Sequence, residues 1–104
     1  MNQPAWIITA EQLKEEMKSG TGPVVVDVRE PFETEESVIP GAKLIPLGEL
    51  SLRASTELNQ TDRIVFYCAA GIRSLEAIMT LRILGFQNLR SLEGGIEAWE
   101  NLSP

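Results

Sequence analysis

Apolar residues in this chain gather in short unbroken runs, and the stretches between them carry helical spacing. Val24-Val25-Val26 and Ile64-Val65-Phe66-Tyr67 run without alternation. Runs of that kind predict strands buried on both faces, as in a parallel sheet. Trp6-Ile7-Ile8 predicts a short first edge strand, Lys43-Leu44-Ile45 a third strand stopped by Pro46, and residues 89–92 a fifth. Thr9-Ala10-Glu11-Gln12 fits a capping box, with Ala10, Leu13 and Met17 on one face of the helix that follows. Residues 19–23, rich in glycine and ending in proline, close that helix. Ile39-Pro40-Gly41-Ala42 predicts a type II turn with Pro40 and Gly41 at its corners, and residues 47–58 predict one or two short helices. Beyond residue 74, Leu75, Ala77, Ile78, Met79, Leu81, Ile83 and Leu84 leave only Glu76, Thr80 and Arg82 polar. This predicts a mostly buried helix beginning at Leu75, capped by Ser74 and stopped by Gly85. Gly94-Gly95 predicts a tight turn, and Ile96 with Trp99 the inner face of a last helix. Strands alternating with helices at short intervals imply an α/β fold, a parallel sheet covered on both sides.

A chain of 104 residues has room for one core, so residues 1–104 are expected to form one domain. No apolar run approaches the length of a membrane span, and Met1-Asn2-Gln3-Pro4 does not begin a secretory signal. With a single cysteine, these features point to a reducing, cytoplasmic setting. The net charge of −6 argues against nucleic acid and anionic membrane surfaces as partners. The absence of histidine excludes more: Cys-His and Ser-His catalysis and Cys/His zinc sites cannot be built from this chain alone. No metal is expected. The acidic group Glu30, Glu33, Glu35 and Glu36 reads as a solvated face.

The apolar run 64–67 leads directly into that one cysteine, Cys68, and then into Ala69, Ala70, Gly71, Ile72, Arg73 and Ser74. A lone cysteine after a strand can be simply a small buried hydrophobe. Here it falls at the carboxyl end of a strand, where open α/β sheets bind ligands, and small residues follow it. Small residues let the backbone curl, so that successive N–H groups converge on one anion near the positive end of the next helix. Lowering a thiol from about 8.5 to roughly 6.5 requires about 2.7 kcal/mol of thiolate stabilisation. Hydrogen bonds to a charged acceptor contribute about 1.5–3 kcal/mol each, so such a nest suffices without histidine. Gly71 suits a positive φ. Arg73 has two roles open to it: holding the negative end of a substrate, or bracing the loop through backbone carbonyls. Asp27 and Arg29, at the end of the second strand, either support the site by pairing with each other or nearby backbone, or contact substrate.

Three stretches together resemble the rhodanese-like sulfurtransferases. They are Asp27-Val28-Arg29-Glu30-Pro31 with Glu33; Ile39-Pro40-Gly41-Ala42 with Ile45-Pro46-Leu47; and Cys68-x-x-Gly71-x-Arg73-Ser74 with Leu92-Glu93-Gly94-Gly95-Ile96-x-x-Trp99. The resemblance implies a three-layer α/β/α fold with a five-stranded parallel sheet. It also implies an active-site loop running from Cys68 to Arg73, with Cys68 carrying persulfide sulfur. The implied activity moves sulfane sulfur from thiosulfate or a persulfide donor to a thiol, cyanide or protein acceptor, without cofactor. Two positions depart from the family pattern: Ser37-Val38 stands where Gly-His is common, and Ala69 where members that use thiosulfate well often carry a basic residue. Dual-specificity cysteine phosphatases share this fold, but their cysteine and arginine are separated by five residues. Here four separate Cys68 from Arg73, a loop suited to one sulfur atom. A non-catalytic interaction module and a partner-dependent sulfur relay are the other readings.

Overall fold

The computed structural model describes residues 3–102, so Met1 and Asn2, which enter the reading of the leader, lie outside it. Five strands, β1 (Ile7–Ile8), β2 (Val24–Asp27), β3 (Lys43–Leu44), β4 (Ile64–Tyr67) and β5 (Leu89–Leu92), alternate with four helices. The helices are α1 (Ala10–Lys18), α2 (Leu50–Glu57), α3 (Ile72–Ile83) and α4 (Gly95–Glu100). The strands form one parallel sheet in the order β1-β5-β4-β2-β3. All four residues of β4 are buried at its centre, as an unbroken apolar run requires. β1 is an edge strand.

Each face of the sheet carries its own core. Val26, Ile64 and Phe66 point to the side covered by α2 and α3, against Leu50, Ala54, Ala77 and Leu81. Val25, Val65 and Tyr67 point to the side covered by α1 and α4, against Leu13 and Ile96. This is the three-layer α/β/α arrangement. The capping box forms at α1, where Gln12 N–H donates to Thr9 Oγ1 and Thr9 N–H to Gln12 Oε1. The turn at residues 39–42 also forms, with Ala42 N–H donating to the Ile39 carbonyl and Gly41 at φ 82°. Residues 47–57 divide into a one-turn 3₁₀ helix at Leu47–Glu49 and α2.

Two expectations about α3 fail. The helix begins at Ile72, with Gly71 in the left-handed conformation as its N-cap, so Ser74 lies inside the first turn and caps nothing from outside. The helix is also less buried than its apolar content suggests. Ala77, Ile78 and Leu81 pack inward, but Met79 and Ile83 are 67% and 86% exposed, and Leu84, just past the helix, is 42% exposed. An outer-layer helix presents one stripe to the sheet and another to water. Hydrophobic content alone does not say which is which.

Candidate active site

Cys68 directly follows β4, the central strand, and its side chain is 1% exposed. Its sulfur is surrounded by donors from the chain that comes next. Gly71 N–H donates to Sγ at 3.1 Å, and Ser74 Oγ lies 3.8 Å away. Burial pushes the Cys68 thiol up, but the N–H groups of Ser74, Gly71 and Ala70 and the Ser74 hydroxyl outweigh it. The net direction is down, towards thiolate. Ala70 is exposed and Gly71 takes a φ of 111°, a conformation that a Cβ would penalise. Ile72 and Arg73 already belong to the first turn of α3, and from that turn the Ser74 amide faces the sulfur together with the loop.

The loop is held open from behind by α4. Ile96 N–H donates to the Cys68 carbonyl at 2.9 Å, and Glu97 N–H to the Ala69 carbonyl at 3.4 Å. With those carbonyls turned towards α4, the amides that follow are free to turn towards the sulfur. Gly95, buried at the start of α4, lies directly against the same two carbonyls.

Of the two roles expected of Arg73, bracing the loop through its carbonyls is not what the fold shows. Its guanidinium makes a two-pronged pair with Glu33, at 2.6 and 2.8 Å, and among the described residues bonds no loop carbonyl. Glu33 is correspondingly not part of a solvated acidic face. It sits in a 3₁₀ turn at Pro31–Thr34, accepts a bond from Glu30 N–H, and is half-buried against Arg73. Asp27 and Arg29 pair with each other and with nearby backbone. The pair is buried, with Arg29 Nη2 at 2.8 Å from Asp27 Oδ2. Arg29 then donates to the Glu33 carbonyl at 3.0 Å and the Ser37 carbonyl at 2.9 Å. Its charge therefore fixes the segment that carries Glu33, and Glu33 fixes Arg73.

The Arg73 guanidinium holds the Glu33 carboxyl well below its ordinary 4.5, at about 2. A depressed carboxylate contributes stability that is present above its unfolded value and is lost as pH falls through its folded one. The stability difference between the native protein and Glu33→Gln should therefore be full above pH 4.5 and vanish by about pH 2. Urea denaturation across that range checks it, and a difference that stays constant with pH would refute the pair's contribution.

Three participants were not picked out as site residues from the sequence. Glu33 pairs across 40 residues of chain, and no local pattern records that. Gly95 stands in the sequence as a turn residue and as part of the family motif, with nothing local to tie it to the Cys68 and Ala69 carbonyls. Ser91 is a lone hydroxyl in the apolar strand β5, 1% exposed and 2.6 Å from Ser74 Oγ. Its place on the same strand face as the core residue Leu89 was the available signal.

Comparison with known proteins agrees with this fold. The family model for the Rhodanese-like domain matches residues 9–102. The chain is 38% identical over 93 residues to the probable adenylyltransferase/sulfurtransferase MoeZ of Mycobacterium tuberculosis, covering 88% of this chain and 24% of that protein. It is 33% identical to a sulfurtransferase of Allochromatium vinosum, covering 88% and 85% of the two chains. The human single-domain sulfurtransferase TSTD1 superposes with a TM-score of 0.86 at 29% identity, over 96% of this chain and all of that one. The chain spans less than half the length of several curated relatives it matches, MoeZ among them. With its fold, its loop and its sequence in agreement, the chain belongs to the Rhodanese-like domain family.

Proposed function

We propose that this chain is a sulfurtransferase that carries sulfane sulfur as a persulfide on Cys68. The observation that carries the reading is the convergence of the Gly71, Ala70 and Ser74 donors on one buried sulfur. In the first half-reaction the Cys68 thiolate attacks a sulfane sulfur. The donor's S–S bond breaks, and its electron pair leaves with sulfite or a thiolate. In the second, an acceptor nucleophile attacks the outer sulfur, and the bonding pair returns to Cys68 Sγ as thiolate. The steps are covalent and ping-pong, and no oxidant or reductant is consumed.

The surroundings favour a persulfide over thiosulfate as donor. Thiosulfate needs a cation at its far end, but Arg73 is already committed to Glu33 and the residue after Cys68 is Ala69. The chain on either side of the Arg73–Glu33 pair instead exposes Phe32 (72%) and Ile72 (81%), apolar contacts suited to a thiol-bearing protein or peptide. MoeZ, whose printed name joins adenylyltransferase to sulfurtransferase, covers the present chain with a quarter of its length, which fits a relay between proteins. In this reading residues 1–104 act as one domain. No helix among the described residues is long and apolar enough to cross a membrane.

Intact mass after incubation with glutathione persulfide, beside thiosulfate, tests the proposal. One added sulfur, removed by cyanide, is expected with both donors. The persulfide should react about tenfold faster or more, the equivalent of one charge-assisted hydrogen bond of about 1.5 kcal/mol that thiosulfate lacks. Equal rates would overturn the donor assignment. No adduct with either donor would overturn the enzyme reading in favour of an interaction module.

A further inference from the structure

We infer that Ser91 is a positioning residue, whose hydroxyl donates to Ser74 Oγ and thereby commits the single Ser74 proton to the active-site loop and its sulfur. The two hydroxyls are 2.6 Å apart, and both are fully buried. The Ser91 hydroxyl has no other hydrogen-bond partner among the described residues. A buried hydroxyl that only accepts leaves its own proton unsatisfied, so Ser91 must be the donor of the pair. Ser74 then has one proton and two acceptors within reach, the Gly71 carbonyl at 3.2 Å and Cys68 Sγ at 3.8 Å.

Each protonation state of the sulfur selects one of them. While Cys68 is a thiol, S–H donates to Ser74 Oγ and Ser74 donates to the Gly71 carbonyl. Once Cys68 is a thiolate, the Ser74 proton turns to Sγ, and Ser91 still donates from behind. The same bond stabilises the electron pair that returns to Sγ when the outer sulfur is handed on. Ser91 touches neither substrate nor sulfur and acts wholly through Ser74. The charged groups around the loop are Arg73 with Glu33, the Asp27–Arg29 pair, the exposed Glu93 just after β5, and the exposed Glu97 in the first turn of α4. Replacing Ser91 alters none of them.

The proposal rests on Cys68 being the reactive sulfur. Alkylation by iodoacetamide reads that sulfur without any transfer, so its failure is separate from failure of the sulfurtransferase reading. Ser91→Ala should raise the midpoint of the pH–rate profile by about half a unit, roughly a threefold slower reaction below the midpoint and none above it. Ser74→Ala should raise it by about one unit. The double variant should match Ser74→Ala alone, and Ser91→Thr should restore the native midpoint. A folded Ser91→Ala protein with an unmoved midpoint, or an additive shift in the double variant, overturns the inference. Should the alanine variant not fold, NMR of the native protein decides: the buried Ser91 hydroxyl proton should exchange slowly and shift as Cys68 titrates, and no response overturns it equally.

Discussion

The Cys68→Ser protein is expected to gain no sulfur from any donor while remaining folded. Cys68 is the only cysteine in the chain, so no second thiol can take over. Serine is close in volume, and its Oγ can accept the Gly71 N–H now aimed at Sγ, which keeps the buried site satisfied. Stability should change by about 1 kcal/mol or less. A hydroxyl is far too weak an acid and nucleophile to open an S–S bond in this nest. Transfer should therefore fall by roughly three orders of magnitude or more, the scale on which loss of a covalent nucleophile acts. Intact mass and a cyanide-to-thiocyanate assay read the two quantities. A sulfur adduct retained by the serine variant would mean that the sulfur is bound elsewhere and that no Cys68 persulfide exists.

The second large effect concerns the backbone behind the loop. In Gly95→Ala a Cβ would lie 2.4 Å from the Cys68 carbonyl oxygen and 2.5 Å from that of Ala69, at a φ of +59°. Both obstacles are backbone, and both oxygens are engaged by the first amides of α4. Neither side chain motion nor a new rotamer can relieve the clash, so the loop or α4 has to move. Left-handed strain and the displaced contacts together should lower stability by about 3–5 kcal/mol. Cys68 alkylation should slow in the same protein, because the amides lose their aim. Gly41→Ala is the control. Its φ of +82° carries the conformational strain, but nothing lies within 4 Å of the added methyl, so it should cost only about 1–2 kcal/mol. Chemical denaturation of both variants gives the comparison, and equal losses would show that the contact with the Cys68 and Ala69 carbonyls carries no weight.

Much of this molecule could be read before any coordinates. The run 64–67 is unbroken because β4 is buried on both faces, and a pattern with that cause points back to it. The Thr9–Gln12 box and the turn at Gly41 are local, each complete within four residues, and both form as read. The start of α3 is different. Ser74 is a reasonable cap by residue type, yet the loop closes early enough for Gly71 to take that place. What shifts the helix is the requirement that the amides of Ala70, Gly71 and Ser74 face the sulfur, a demand set by tertiary packing and not by helix propensity.

The sequence by itself determined the alternation of strands and helices, the central place of β4, and the cysteine at its carboxyl end. These rest on periodicity and near-neighbour chemistry, which are written along the chain. Only the tertiary structure decided what each charged or polar group does there. Glu33 meets Arg73 across 40 residues, Ser91 meets Ser74 across 17, and α4 reaches back to the carbonyls of Cys68 and Ala69. Those pairings arise where parallel strands bring their carboxyl ends together. Residues far apart in the chain become neighbours at that edge, and burial then obliges each polar group to find its partner among them.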